Sequence, residues 1–376
     1  MKIPLAWLNL LHEKARSAVA VAGVAFAVLL ILMQLGFLGS VRQSATRIYD
    51  QLNFDLLMVS PEYLHLSNPG TFPQTRLYQA ASLAEVQRVA HLDVGFQLWR
   101  NLETGNRRGM MVLGCDPQDH AFLLKELDAQ RGELAPLDSV LIDRRSRREF
   151  GSTESGVAAE VGPRKVRIAG NFALGTGFGA DGAIVVGDQT FQRLFAARPA
   201  QSVSLGLVQL APGEDSDLAA EKLRELLPKD VRVFTRAGIG EYEQRHWLTK
   251  TSVGIIFGLG VLVALVVGTS IVYQVLSSDI ANHLPEYATL KAMGYSRGYL
   301  SSVVLKQAGI LGVAGFVPGL FLSLLLYRVA RELANIPIDM SMERAALVLG
   351  LSVAMCAVSG LASLGRVHGA DPADLF

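Results

Sequence analysis

Four long windows without a single charged side chain constrain this sequence more than any other feature. Between Arg16 and Arg42 lie 25 residues with no Asp, Glu, Lys or Arg, and between Lys250 and Asp279 lie 28. The intervals Lys306–Arg328 and Arg344–Arg366 enclose 21 each. A hydrocarbon core of about 30 Å needs roughly 20 apolar residues in a helix, so every window can span a bilayer. From Arg42 to Lys250 the longest uncharged stretch is 15 residues, and it carries Pro199 and Pro212, so nothing there spans. The charge content of 18% is therefore low because of these windows, against about a quarter in an ordinary soluble domain. The expected fold is a membrane α-helical protein with transmembrane helices at 17–40, 251–278, 303–327 and 345–365. This 1+3 arrangement leaves residues 41–250 as a water-exposed α/β domain, with loops at 279–300 and 328–344 and a tail at 366–376.

A cleaved signal peptide is the alternative for the first window, since Lys2, Lys14 and Arg16 precede it. Its apolar run from Ser17 to Leu38 exceeds a signal h-region, and no clear small-x-small site follows, which favours a retained anchor. Four spans put both ends of the chain on the side of the 279–300 loop. Lys2, Lys14, Arg16, Lys291, Arg297 and Arg366 flank helices there, against Arg42, Arg47, Arg245, Lys250, Arg328, Arg331 and Arg344 opposite. The positive-inside rule does not decide between these sets, although the basic residues before the first helix favour a cytoplasmic N-terminus. A net charge near +1 gives no hint of nucleic acid, and Cys115 and Cys356, in different segments, offer no disulfide.

Residues 1–16 are too polar and short to span; Leu5, Trp7, Leu8 and Leu11 share a helical face with Pro4 at its first turn. This reads as an amphipathic helix at the membrane interface or packed on the protein's own membrane helices. Val41, Ala45, Ile48 and Leu52 continue the first helix beyond the bilayer, and Gly240–Lys250, with Tyr242 and Trp247, leads into the second. Strands are expected at Phe54–Ser60, Val94–Leu102, Arg108–Cys115, Ser139–Ile142, Lys165–Phe172, Ala183–Val186, Val203–Leu210 and Val231–Thr235. Helices are expected at Ser82–Ala90 (with a Ser82-x-x-Glu85 capping box), Thr190–Phe195 and Asp215–Leu227, with a loop from Ser60 to Gln74.

Several chemistries find no motif. No GxxxxGK[ST] is present, so the chain has no P-loop of its own. Gly177-x-Gly179-x-x-Gly182 matches the dinucleotide fingerprint in letters, but a strand-like Ala183-Ile184-Val185-Val186 follows where a helix is required. The seven histidines are scattered without metal-ligand spacing, and GxSxG is absent. No catalytic, cofactor or metal site is expected. Arg144-Arg145-Ser146-Arg147-Arg148 reads as a solvated face, with an anionic headgroup or partner contact as the alternative.

The most informative stretch joins the second and third membrane helices. Pro285 and Glu286 suit a helix's first turn, Gly294 suits its C′ position, and Ser296 can cap the next helix. Leu284, Ala288 and Ala292 form one face of this short helix; Tyr287, Leu290 and Met293 lie beside it, with Thr289 and Lys291 completing the segment. Spacing alone leaves open a purely structural loop helix. The pattern Glu286-x-Ala288-x-x-Lys291-Ala292-Met293-Gly294 resembles the coupling-helix signature of MacB/FtsX-type ABC permeases, of the type VII ABC transporter superfamily. Further segments are similar to the DevC family of exporter permeases. These are Pro4-Leu5-Ala6-Trp7-Leu8, Met33-Gln34-Leu35-Gly36-Phe37, His283 to Tyr295, Gly315-Phe316-Val317-Pro318-Gly319 and Asp371-Pro372-Ala373-Asp374-Leu375-Phe376. Pro285 stands where the wider superfamily has Arg, as in the DevC variant.

The resemblance implies that the 279–300 loop is cytoplasmic and that residues 41–250 form a MacB-like periplasmic domain. It implies an inner-membrane, multi-pass, non-enzymatic subunit, with residues 284–294 contacting a separate DevA-like ATPase that binds the ATP and Mg. It also implies a DevB-like adaptor, a TolC-like outer-membrane channel, a homodimer and contact with membrane lipids. The motion of the coupling helix would reach the periplasmic domain mechanically, and the cargo would be a glycolipid or other amphiphile. An FtsX- or lipoprotein-release-type permease is the alternative within the superfamily. A sensor is disfavoured because the longest cytoplasmic stretch is too short for an output domain.

Overall fold

The computed structural model describes residues 14–175, 179–199, 201–282, 289, 293, 296–334 and 336–368. The amphipathic segment expected before residue 14 lies outside them. The chain divides into two units, residues 1–40 with 252–376 and residues 41–251.

Among its described residues, the first unit carries four helices long and apolar enough to cross a membrane. They are α1 (Lys14–Thr46, whose last residues belong to the second unit), α7 (Ser252–Asn282), α8 (Arg297–Ala334) and α9 (Met342–His368). Ala20, Val24, Ala27, Val28 and Ile31 recur at three- and four-residue intervals, so α1 presents one stripe to its neighbours. That stripe packs with Ala264, Val272 and Leu276 of α7, Ala308 and Leu311 of α8, and Val348, Met355 and Cys356 of α9. Lipid tails are as apolar as these side chains, so close approach and interhelical hydrogen bonds must supply the cohesion. Both are present. Ser352 donates to the Gly312 carbonyl at 3.2 Å, Ser359 donates to the Thr269 carbonyl at 2.8 Å, and the Tyr327 hydroxyl donates to the Leu32 carbonyl. Pro318 sits inside α8, which continues through it.

The second unit is α/β. Its strands are β1 (Leu56–Val59), β2 (Phe72–Pro73), β3 (Val86–Arg100), β4 (Arg107–Cys115), β5 (Ser139–Asp143), β6 (Ala158–Val161), β7 (Arg164–Phe172), β8 (Ala183–Gly187), β9 (Ser202–Val203), β10 (Leu205–Leu210) and β11 (Arg232–Thr235). Its helices are α2 (Thr75–Ala80), α3 (Lys125–Gln130), α4 (Asp188–Leu194), α5 (Ser216–Leu226) and α6 (Arg236–Thr249). One sheet runs β11-β1-β10-β3-β4-β8-β5-β7-β6, and β3 also pairs with β6 through Trp99↔Val161 and Arg100↔Glu160. That pairing closes β3, β4, β8, β5, β7 and β6 into a ring and leaves β11, β1 and β10 as an open wing. The long β3 serves both. Its first half pairs with β10, its second half with β4.

Alternation along the strands builds the cores. Met110, Val112, Val140, Ile142, Ile184 and Val186 gather around Trp99 on one face. Their neighbours Met111, Leu113, Leu141, Ala183 and Val185 join Ile48, Tyr49, Leu52 and Ile239 on the other. Burial on both faces is why these strands read as continuous apolar runs. In the wing, Leu56, Met58, Val208 and Val233 face Ala219, Ala220 and Leu223 of α5.

One expected helix is overturned. Residues 82–90, read as a capped helix, form a turn and then the start of β3. Ser82 donates its hydroxyl to the Gln79 carbonyl at 2.7 Å, closing α2 rather than opening a helix. Val86 and Val89 then pair with Leu210 and Val208, so tertiary pairing prevails over the local capping pattern. The Val203–Leu210 stretch is divided at Ser204, between β9 and β10.

Candidate site of mechanical coupling

Of the segment singled out in the sequence, Leu284, Pro285, Glu286, Tyr287, Ala288, Leu290, Lys291, Ala292 and Gly294 lie outside the described residues. Thr289 and Met293 lie within them. The Met293 amide donates to the Thr289 carbonyl at 3.0 Å, a helical i→i+4 bond, and both residues are exposed. Downstream, the Tyr299 amide donates to the Ser296 hydroxyl at 3.3 Å, so Ser296 caps α8.

The second unit contains a polar constellation that the sequence reading missed. It lies where the chain enters and leaves that unit. Val41, Ala45, Ile48 and Leu52, the expected continuation of the first membrane helix, are all buried. The helix itself ends at Thr46, and a single 3-10 turn at Tyr49–Gln51 carries the chain to β1. The returning helix α6 starts at the Thr235 cap, whose hydroxyl accepts from the Gly238 amide at 3.2 Å. It stops at Thr249, so Lys250 and Thr251 interrupt the path into α7.

Two side chains of α6 hold the entering segment. Arg236 donates to the Tyr49 carbonyl at 2.9 Å, to Leu52 at 2.8 Å and to Phe54 at 3.1 and 2.6 Å, with its guanidinium 4.1 Å from the Phe54 ring centre. A planar fork with fixed donors suits three converging carbonyls. Two turns on, the fully buried Glu243 accepts through Oε1 from the Tyr49 hydroxyl at 3.0 Å, the Leu66 amide at 2.8 Å and the Tyr63 hydroxyl. The two phenols also share a hydrogen bond. Burial pushes the Glu243 carboxyl up, and the donors from Tyr63 and Tyr49 pull it back part-way. Burial likewise raises both phenols, so they remain donors. In sequence Glu243 is one charged residue among several in the segment that leads into the second membrane helix. The available signal was its spacing of four from Ile239, which puts both on one helical face.

Two arginines of the basic run at 144–148 pair with acids. Arg144 meets Glu126 at 2.7 Å and Arg147 meets Asp181 at 2.7 Å. The Gly182 end of the glycine motif leads directly into β8, a strand and not a helix.

Comparison with known proteins adds the following. Residues 17–226 match the MacB-like periplasmic core domain, and residues 258–372 match the FtsX-like permease C-terminal region. Solved structures with partial similarity include the periplasmic region of MacB from Actinobacillus actinomycetemcomitans. That match has 13% identity and a TM-score of 0.36, covering 52% of this chain and 94% of that one. The extracellular domain of the noncanonic ABC-type transporter YknZ from Gram-positive bacteria matches at 16% identity and a TM-score of 0.33, covering 49% of this chain and 100% of that one. A domain of a putative permease from Porphyromonas gingivalis matches at 16% identity and a TM-score of 0.34, covering 49% and 94%. No curated protein matches the chain significantly. With a MacB-like domain inserted between its first membrane helix and an FtsX-like C-terminal region, the chain belongs to the MacB/FtsX-type permeases of the type VII ABC transporters.

Proposed function

We propose that this chain is the permease subunit of an inner-membrane ABC exporter of the DevC type, acting as a homodimer and transmitting work rather than enclosing a conduit. The observation that carries this reading is the union of both family regions in a sequence that carries no P-loop motif, which supports hydrolysis of ATP by a separate subunit. A separate DevA-like ATPase is the partner for residues 284–294, and a DevB-like adaptor with a TolC-like channel would receive the cargo, a glycolipid or other amphiphile. Uncharged spans accord with mechanical transmission, because a solute or ion path ordinarily leaves ionisable residues at mid-membrane. Within the second unit, Arg236 and Glu243 bind the entering segment to the leaving helix, so displacement of one is passed to the other.

The decisive experiment uses Ala288→Glu, which places a charge on the small-residue face of the proposed coupling helix. An unpaired charge in a desolvated contact costs several kcal/mol. The variant is expected to insert and fold normally but to lose co-purification with the ATPase, or export. Undiminished co-purification together with wild-type export would remove residues 284–294 from the mechanism.

A further inference from the structure

Beside the Glu243 carboxyl lies a cavity of about 20 Å³ lined by Ser44, Ser67, Trp247 and Glu243 itself, among others. That is room for about one water molecule. Two buried polar atoms of these lining residues, Glu243 Oε2 and Ser44 Oγ, find no hydrogen-bond partner among the described residues. Ser67 is already committed to the Gly179 carbonyl at 3.3 Å. Orphaned polar atoms on the wall of a water-sized cavity call for a bridging water, since each costs about 1–3 kcal/mol when left unmet. We propose that Glu243 and Ser44 form a proton-operated clasp. As the neutral acid, Glu243 donates from Oε2 through one water to the Ser44 hydroxyl. As the carboxylate, it leaves that oxygen charged inside the unit.

The groups facing Glu243 support this assignment. From the entering segment comes Tyr49; from the loop after β1 come Tyr63 and the Leu66 amide; from α6 itself comes Trp247. Tyr49, Tyr63 and the Leu66 amide donate to Glu243 Oε1 without carrying charge, and the Trp247 indole is uncharged too. Nearby, the His65 and His246 rings lie 5.0 Å apart. Burial lowers both; His246 lowers His65 further, and Lys250 does the same to His246. The signs of the two effects are opposite. A carboxyl raised in the folded state stabilises as pH falls through that raised value, and destabilises above it. Histidines lowered in the folded state stabilise above about 6.5 and lose that contribution on acidification.

The test compares the full-length protein in nanodiscs with Glu243→Gln, a neutral isostere that keeps the Oε1 acceptor and offers an amide donor toward Ser44. In a His65→Gln/His246→Gln background, so that only the carboxyl titrates locally, the unfolding midpoint with Glu243 should fall as pH rises. Relative to that parent, the Glu243→Gln midpoint should be equal at low pH and several degrees higher at high pH. Infrared spectroscopy of the otherwise wild-type protein, at a pH about one unit above the ordinary carboxylate value of about 4.3, should show a protonated-carboxyl stretch that is missing in Glu243→Gln. Absence of that band, or a Gln variant less stable than its parent at every pH, would overturn the clasp. The spectroscopic arm decides the matter even if the variant folds poorly.

Discussion

The backbone at Gly319 lies directly against the Ala25 carbonyl: a Cβ at residue 319 would stand 2.7 Å from that oxygen and 2.8 Å from Val28 Cβ. Four residues earlier, a Cβ at Gly315 would come within 2.4 Å of Val24 Cβ. Spacing of four puts both glycines on one face of α8, where α1 approaches closely. Gly319→Val should therefore destabilise the membrane unit by about 1–3 kcal/mol, because the obstructing atom is backbone and cannot turn aside. Gly309→Ala, with nothing within 4 Å, should be silent. Unfolding midpoints in one detergent distinguish the two variants; equal midpoints would contradict this packing.

Arg236 should be among the most costly surface-near residues to truncate. Arg236→Ala strands three carbonyls, those of Tyr49, Leu52 and Phe54, with an expected loss of about 3 kcal/mol. Arg236→Lys should recover little, since a single ammonium cannot match the fork. Thermal unfolding checks both; rescue by lysine would show that charge alone matters.

Gln34 presents a different case. Its Oε1 is buried without a partner among the described residues, and its amide group packs where a Cβ on Gly260 would lie, 2.4 Å from its Cδ. Gln34→Leu should be neutral or stabilising by about 1 kcal/mol in a stability assay. Loss of export with undiminished stability would instead assign Gln34 a functional contact.

The two native cysteines suit topology mapping. Both are buried, and burial pushes the Cys115 thiol far up, so an impermeant maleimide should leave the wild type unlabelled. Thr104→Cys, in an exposed turn between β3 and β4, should label in intact spheroplasts. Ser296→Cys, exposed before α8, should label only after permeabilisation. The reverse pattern would invert the proposed orientation.

The membrane plan was legible from residue order alone, because an uncharged run of bilayer length has few alternatives in water or lipid. Most strands of the inserted unit were legible as well: Leu56–Val59, residues 110–115 of Arg107–Cys115, and Ala183–Gly187 are buried on both faces and β-branched or otherwise apolar. Ser216–Leu226 was legible too, since the Asp215 side chain accepts from the Asp217 and Leu218 amides, a purely local cap. The start of β3 was not legible, because its strand state depends on β10, more than a hundred residues away. Glu243 escaped for the same reason. A carboxyl reads as solvent-facing until Tyr49 and Tyr63, distant in sequence, are folded against it, and that enclosure comes from long-range packing alone.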